Sequence, residues 1–278
     1  MKKISRRSFM AAAAVSVAAL ALTACGGSAS SAASSVASSA ASSEAVSSAA
    51  AADLTTVEAG KLTMATNAAF PPYEMTTDAG EFEGIDVDTA KAIAEKLGLE
   101  LQIDDMDFDA ALLSVQQGKA DIVMAGVTVT DERKAVMDFS DSYATGIQSI
   151  IVPNDSDIAS PDDLAGKTIG TQRGTTGYIY CSDDFGDENV VAYDDGLTAV
   201  QALNNGQVDA VVIDNAPAQE FVAANPGLKV LDTSYAEEDY AIGVAKGSAL
   251  EDAVNKALEE LKADGTLQAI VDKYINAN

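Results

Sequence analysis

In the segment VQQGKADIVM, residues 115–124, an apolar pattern with helical period ends at Gly118. A short turn follows, and a predicted strand begins directly after Asp121. A second segment, LNNGQVDAVV at residues 203–212, repeats this order around Gly206. Glycine commonly ends a helix, and a short apolar run after a turn is typical of a buried strand. Because αβ turns in general look like this, the repeat favours two similar α/β lobes without proving a duplication.

Strands and helices alternate outward from both segments. The pattern predicts strands at residues 61–66, 99–103 and 121–125 in a first unit, and at residues 168–171, 190–193, 210–213 and 228–231 in a second. Segments with helical spacing of apolar residues lie between them. Such alternation predicts parallel strands joined by crossover helices. The predicted fold class is therefore α/β, with two lobes that are each a mainly parallel sheet with flanking helices.

Two extended stretches, residues 143–152 and 240–245, are rich in Ile, Val and Tyr and flank the second unit. If both cross between the lobes, the second lobe is inserted into the first, and two strands form a hinge. The predicted division is residues 54–145 for the first part of lobe 1, 146–239 for lobe 2, and 240–278 for the return to lobe 1.

The N-terminus has the pattern of an export signal. Residues 1–24 consist of a basic head, an apolar Ala-rich core and small residues before Cys25, which predicts a secretory signal peptide. The pair Arg6-Arg7 leaves both the twin-arginine and the general secretory route open. Residues 25–53 are almost all Ser and Ala, so they cannot bury a core and predict a flexible linker.

The residues just before the cut, Leu22-Thr23-Ala24-Cys25, resemble the lipobox of bacterial lipoproteins. The resemblance implies that Cys25 carries a lipid and anchors the chain to the outer face of the cytoplasmic membrane. An ordinary signal with an incidental cysteine is the alternative.

Composition excludes several kinds of partner and chemistry. The formal net charge is −26 at pH 7, so phosphate backbones would repel the chain and no nucleic acid is expected. The sequence contains no His, which excludes imidazole bases, Ser-His triads and His-ligated metals. No cofactor and no metal are expected. Cys181 has no cysteine partner once Cys25 is modified, so the fold must rely on packing.

Polar and small residues follow four of the predicted strands. These segments are NAAFPPY at residues 67–73, AGVTVTDER at 125–133, TQRGTTG at 171–177, and Asp214-Asn215. Because ligands of open α/β sheets bind beyond the carboxyl ends of the strands, we expect these segments to share one site.

These segments resemble the family 3 bacterial solute-binding proteins, the polar amino acid receptors of ABC importers. The resemblance extends from about residue 61 to 274, and it includes DFS at residues 138–140 and LEELKADGT at 258–266. It implies a two-lobed periplasmic-binding-protein type II fold and a monomer without catalysis. It also implies capture of a free L-amino acid by cleft closure, with delivery to the transmembrane subunits of an ABC permease.

The resemblance assigns the ligand's α-carboxylate to Arg133, whose planar guanidinium can donate to two oxygens. A surface arginine paired with Asp131 or Glu132 is the alternative. Thr128 and the backbone of Gly126 are implied to bind the same amino acid core. Ala125 and Gly126 allow close approach to the backbone, although strand-end packing would explain them too.

In the second lobe, Thr175 and Thr176 are implied to hold the carboxylate from a helix N-terminus, where free amides favour an anion. Plain N-capping by Thr is the alternative, and both roles can hold at once. Asp214 is implied to accept the ligand's α-ammonium, with a helix cap before Pro217 as the alternative. Arg133 and Asp214 are expected on opposite lobes, so a zwitterion would bridge the cleft.

Phe70 and Phe108 match the aromatic walls of the family, although core packing is common for any Phe. Asn67 lies where members that bind basic amino acids often have an acid, and Gln172 reaches towards the variable end of the ligand. A neutral polar ligand such as glutamine or cystine is therefore expected. Arg173 would instead favour an acidic ligand if it pointed inward.

An enzyme on a related scaffold, such as a dehydratase or cell-wall lyase, is a rival reading because fold does not fix function. The predicted cleft offers one carboxylate, Asp214, where an acid–base pair would be needed. A sensor subunit of a membrane receptor is the second rival, and the same site would serve it.

Overall fold

The computed structural model describes residues 54–275. The predicted signal peptide, Cys25 and the Ser/Ala-rich linker lie outside the described residues, as do the last three residues of the chain. Within residues 54–275, no helix has the length and apolarity needed to cross a bilayer.

The first part of the described chain contains seven strands and three α-helices. In order these are β1 (Lys61–Thr66), β2 (Ala69–Phe70), β3 (Glu74–Thr76), β4 (Phe82–Glu83), α1 (Ile85–Leu97), β5 (Glu100–Asp105), α2 (Phe108–Gln116), β6 (Ile122–Val123), α3 (Asp131–Lys134) and β7 (Met137–Phe139). They form lobe 1 together with the C-terminal elements β14 (Gly243–Ala245), α7 (Leu250–Ala263) and α8 (Thr266–Ile275).

Lobe 2 is built from the elements between them. These are β8 (Ala144–Pro153), a 3-10 turn (Pro161–Leu164), β9 (Ile169–Gln172), α4 (Thr176–Phe185), a second 3-10 turn (Asp187–Asn189), β10 (Val190–Tyr193), α5 (Gly196–Asn204), β11 (Ala210–Asp214), α6 (Asn215–Ala224), β12 (Leu228–Val230) and β13 (Ala236–Tyr240).

Both main sheets are mixed. The sheet of lobe 1 has the order β5-β1-β6-β14-β7, with β1 parallel to β5 and β6 and with β14 antiparallel to both its neighbours. The sheet of lobe 2 has the order β10-β9-β11-β8-β12, and β13 also pairs with β8. A three-stranded antiparallel sheet, β2-β3-β4, lies beside the end of β1.

The expected two lobes with parallel strands are found, and each main sheet also contains one strand that runs against the others, β14 in lobe 1 and β8 in lobe 2. In lobe 2, β8 inserts between β11 and β12 and runs antiparallel to both. The reason is that β8 enters from the hinge and not through a crossover helix, and only a crossover would make it parallel. Alternation of strands and helices along the chain does not reveal where a hinge strand inserts.

The core of lobe 1 explains why its helices end where they do. Helix α1 buries Ile93 and Leu97 against the sheet and stops at Gly98, which has a left-handed φ of 70°. Helix α7 carries Val254, Leu258 and Leu261 on one buried stripe at helical spacing and packs against α1. The C-terminal helices thus complete the lobe that the chain began.

The two segments that cross between the lobes lie side by side. The Tyr143 amide donates to the Tyr240 carbonyl at 2.9 Å, and the Ser140 amide donates to the Ile242 carbonyl at 2.9 Å. The ring of Tyr240 covers Gly146 so closely that an added Cβ would clash with the ring carbon Cζ. This hydrogen-bonded pair of strands is the hinge between the lobes.

Candidate ligand-binding site

All eleven residues predicted for the site line one cleft between the two lobes. Four of the lining segments lie at or just after the ends of strands, as expected from the topology. Asn67 follows β1, Ala125 and Gly126 follow β6, Gln172 ends β9 and Asp214 ends β11. The remaining predicted residues are Phe70, Phe108, Thr128, Arg133, Thr175 and Thr176.

Arg133 is a buried cleft residue, with 8% of its surface exposed. Its Nη1 donates to the Thr128 carbonyl at 2.8 Å, and its Nη2 donates across the cleft to the Gly174 carbonyl at 3.1 Å. The guanidinium carbon lies 5.3 Å from the centre of the Phe108 ring. No ion pair of Arg133 is found in residues 54–275, so pairing with Asp131 does not account for it.

The guanidinium of Arg133 keeps donors for an incoming anion, because it has five N–H groups. Burial lowers its pKa, and the Glu238 carboxylate partly offsets this effect. An arginine stays protonated under such a shift, so the cleft contains a fixed, partly desolvated positive charge.

Asp214 is the anionic counterpart in lobe 2, with 2% of its surface exposed. Its Oδ1 accepts from the Ala216 amide at 3.0 Å, which caps α6, and its Oδ2 accepts from the Ile147 amide at 2.8 Å. The capping alternative therefore holds, and the same carboxylate also lines the cleft. Burial raises the pKa of Asp214 to about 6 despite these two hydrogen bonds.

The two threonines at the start of α4 have different surroundings. Thr175 is the N-cap: its hydroxyl accepts from the Tyr178 amide at 3.3 Å and donates to the Gln172 carbonyl at 2.8 Å. Thr176 lies 3.3 Å from the Thr128 hydroxyl of the other lobe. First-turn amides of a helix have no intrahelical acceptor. The N-terminus of α4 can therefore offer its backbone to an anion while Thr175 serves as cap.

The lobes also contact each other through the side chains of Asn67 and Gln172. Gln172 Nε2 donates to Asn67 Oδ1 at 2.8 Å, and Asn67 Nδ2 donates to the Met106 carbonyl at 3.0 Å. Together with the contacts Thr128–Thr176 and Arg133–Gly174, this amide pair holds lobe 1 against lobe 2. The structure is therefore a closed arrangement of the lobes.

The aromatic side chains form one side of the cleft and also pack in the cores. Phe70 stacks on Tyr73 with ring centres 5.6 Å apart, and its ring lies against Gly126, whose φ of 55° and lack of Cβ permit the contact. Phe108 is 5% exposed and belongs to an apolar cluster of lobe 1. Phe108 therefore both packs in the core and lines the cleft.

The amide of Gly126 is already used. It donates to Asp86 Oδ2 at 3.0 Å, and the Tyr143 hydroxyl donates to the same oxygen at 2.8 Å. The predicted contribution of the Gly126 backbone to a ligand is therefore restricted to its carbonyl oxygen.

Comparison with known proteins identifies the family. Residues 62–277 match the family described as bacterial extracellular solute-binding proteins, family 3. The chain belongs to this family.

Individual relatives agree with this assignment. The L-cystine-binding protein TcyJ of Escherichia coli (strain K12) is 33% identical over 225 residues, 80% of this chain and 85% of the relative. The solved structure of an ancestral arginine-binding protein bound to arginine is 43% identical with a TM-score of 0.74, and a structure of one bound to glutamine is 42% identical with the same score. Both alignments cover 78% of this chain and 98% of the other.

As a family 3 solute-binding protein, the chain has the two-lobed type II periplasmic binding fold and is not an enzyme. The rival prediction of a dehydratase or lyase is therefore not supported, because the family and the relatives are solute-binding proteins. Among residues 54–275, no cluster of His, Cys, Asp and Glu could hold a metal ion.

Five cleft residues were missed by the sequence reasoning, namely Glu74, Gln148, Val212, Ile213 and Tyr240. Glu74 follows directly after the quoted segment 67–73, so extending that segment by one residue would have found it. Gln148 and Tyr240 lie on β8 and β13, which were considered for the hinge alone. Hinge strands that pass beneath a cleft also line it.

Glu74 is fully buried, and no hydrogen-bond donor of residues 54–275 is paired with either of its oxygens. Burial, and then the neighbouring Asp86 carboxylate, raise the pKa of Glu74 well above its ordinary value. Burial also raises the pKa of Asp86 to about 6. A proton on Glu74 relieves the repulsion between these two carboxyl groups.

Arg173 lies on the surface and does not line the cleft. Its Nε pairs with Asp194 Oδ1 at 3.5 Å, and its Nη2 donates to the Ala192 carbonyl at 3.2 Å. The idea of an acidic ligand therefore loses the residue on which it depended.

Proposed function

We propose that this chain is the extracytoplasmic substrate-binding component of an ABC importer and captures a free L-amino acid. The observation that carries the proposal is the position of two opposite charges, Arg133 from lobe 1 and Asp214 from lobe 2, on one cleft. Relatives of this chain are amino acid-binding proteins of such transporters, which supports the same function.

The α-carboxylate of the ligand binds Arg133 and the N-terminus of α4. Guanidinium and helix amides donate together to an anion, and burial strengthens both interactions. The α-ammonium binds Asp214, with the hydroxyl of Thr128 as a further acceptor. Each charged end of the zwitterion meets its opposite charge, which compensates the cost of removing it from water.

Binding closes the lobes about the hinge of Tyr143 and Tyr240. A ligand shifts an equilibrium only by its difference in affinity for the two states. A zwitterion that contacts both lobes makes its full set of hydrogen bonds only when the cleft is closed. The closed form then docks on the permease, which can thereby distinguish loaded from empty receptors.

The class of ligand side chain depends on two cleft residues with opposite implications. Asn67 is an uncharged amide and favours a neutral side chain such as that of glutamine or cystine. Glu74 adds a second carboxyl to a cleft in which, among the lining residues of segment 54–275, Arg133 is the one cation. Once Arg133 and Asp214 have paired with the zwitterion, Glu74 is left for a positive side chain. We therefore place L-arginine first, with L-glutamine and L-cystine as the neutral competitors.

The amino acid class is tested by calorimetry on the full-length chain in mild detergent, with each standard L-amino acid and L-cystine. We expect one class to bind at micromolar concentration or below. Binding of none of them would overturn the proposed function. Binding of L-glutamine or L-cystine in preference to L-arginine would retain the function and reverse the order of ligands.

We also propose that a lipid on Cys25 and the linker of residues 25–53 keep the receptor at the outer face of the membrane, near its permease. Cys25→Ser should move the chain from the membrane fraction to the soluble fraction. Mass spectrometry of the wild-type N-terminus should show a diacylglyceryl group. An unmodified Cys25 in the mature chain would refute the anchor and leave the amino acid site unaffected.

A further inference from the structure

Glu238 is a buried carboxylate behind the cleft, with 6% of its surface exposed. It lies on the hinge strand β13, two residues before Tyr240. Its Oε2 accepts from the Thr128 hydroxyl at 3.0 Å and from Gln148 Nε2 at 3.0 Å. It thus joins a loop of lobe 1 to strand β8, through two side chains that both line the cleft.

The proton of Thr128 has only one suitable direction in this arrangement. A hydroxyl has a single proton and two lone pairs, whereas a carboxylate oxygen can only accept. Thr128 therefore donates to Glu238. Towards Thr176, 3.3 Å away, and towards the cleft, Thr128 can then only accept. A hydroxyl free to rotate would present either a donor or an acceptor to the ligand.

The negative charge of Glu238 also acts on a second cleft residue, Arg133. It favours the protonated form of Arg133 against the effect of burial, so it serves as a counter-charge to that guanidinium. A buried cation without a compensating charge is costly. Glu238 does not line the cleft itself. It nevertheless stabilises Thr128 and Arg133, two of the groups proposed to bind the amino acid backbone.

We infer that Glu238 is a positioning residue, which fixes the Thr128 hydroxyl as a hydrogen-bond acceptor for the ligand's α-ammonium. The inference rests on the proposed function, because it concerns how an amino acid is told from an analogue that lacks the amine. The chemistry recognised is a primary ammonium next to a carboxylate.

The test compares each amino acid with its analogue lacking the amine. The pairs are L-arginine with 5-guanidinopentanoic acid, L-glutamine with glutaramic acid, and L-cystine with 3,3′-dithiodipropionic acid. Calorimetry on the full-length chain gives the affinity ratio within each pair. Glu238→Met removes the acceptor at similar length, and we expect the ratio of the bound pair to fall about tenfold. Glu238→Gln keeps size and polarity and should lower the ratio by less.

Two further variants separate positioning from a general structural effect. Glu237→Gln changes the exposed neighbour on the same strand and should leave the ratio unchanged. In a Thr128→Val background, Glu238→Gln should cause no further fall, because the hydroxyl that it orients is gone.

An unchanged ratio in both Glu238 variants would overturn the inference, as would an equally large fall in the Thr128→Val background. If the wild-type chain binds no standard L-amino acid and no L-cystine, the proposed function fails first and the inference fails with it. If it binds an amino acid outside these three, the ratio is measured with that amino acid and its analogue lacking the amine. The two failures are therefore distinguishable.

Discussion

The two ends of the cleft are built differently. At one end, Arg133 and Asp214 present opposite charges, and backbone groups hold both side chains. At the other end, Asn67 and Gln172 are neutral amides joined to each other across the lobes, with Glu74 buried in the same cleft. The comparison teaches that the charged end can recognise what all amino acids share. The amide end can change its preference without disturbing that recognition.

The largest effect on the charged end of the cleft is expected from a substitution of Arg133. Arg133→Ala should lower the affinity for every amino acid by roughly a hundredfold or more, because it removes one partner of a desolvated charge pair. Calorimetry measures the loss, and circular dichroism should show an unchanged fold. Arg173→Ala is the matched control, since that exposed arginine is outside the cleft. Affinity retained in Arg133→Ala would remove the assigned role.

Asp214 gives the next largest effect. Asp214→Asn should weaken binding by about ten- to a hundredfold, because a neutral amide replaces a charge-assisted acceptor. The loss should be similar for L-arginine and L-glutamine, whose α-ammonium groups are the same. A loss confined to one of these two ligands would show that Asp214 contacts the side chain of the ligand instead.

The pH dependence follows from the raised pKa of Asp214, which is about 6. An ammonium binds the ionised carboxylate, so affinity should be full above pH 6 and should decline as the pH falls through 6. For the empty protein the sign is opposite. The folded state holds its proton at a higher pH than the unfolded chain, so stability should decrease as the pH rises from about 4 to 6. Asp214→Asn should weaken both trends in calorimetry and thermal unfolding.

A sharper comparison within the cleft uses Glu74. Glu74→Gln should lower the preference for L-arginine over L-glutamine about tenfold, because a neutral amide cannot ionise beside a guanidinium. Affinity for L-glutamine should change little. Glu81→Gln, an exposed change on the neighbouring turn, is the control. The assignment of a basic ligand would fail if the preference stayed the same while Asp214→Asn still weakened binding.

The smallest expected effect is at Asn67. Asn67→Asp should shift the preference towards L-arginine by a few-fold in competition measurements. The gain is limited because Asp cannot donate to the Met106 carbonyl, as Asn67 Nδ2 does. An unchanged ratio of the two ligands would show that Asn67 serves lobe contact and not selectivity.

Much of the site could be predicted because it lies at strand ends. The segments after β1, β6, β9 and β11 were recognised from their polar residues, and topology brings them together. Glu74 was missed because it follows a proline turn and belongs to the small antiparallel sheet, whose position no periodicity indicates. The insertion of β8 was missed for a related reason, since the partner of a hinge strand is decided by the distant sheet that it enters.

The capping alternatives show a second limit of sequence reasoning. For Asp214, helix capping and cleft lining were treated as competing explanations, whereas for Thr175 both were allowed at once. The structure shows both for each residue. The reason is geometric. A helix that starts directly after a strand end places its cap at the mouth of the sheet, which is also where a ligand binds.

Tyr240 belongs both to the hinge and to the floor of the cleft, with its ring resting on Gly146 of the opposite crossing strand. Bending at this point moves the surface on which a captured molecule rests. Tyr240 therefore takes part both in the movement that opens the cleft and in the surface that a ligand contacts. A substitution of Tyr240 that speeds ligand release would therefore also change which ligands bind.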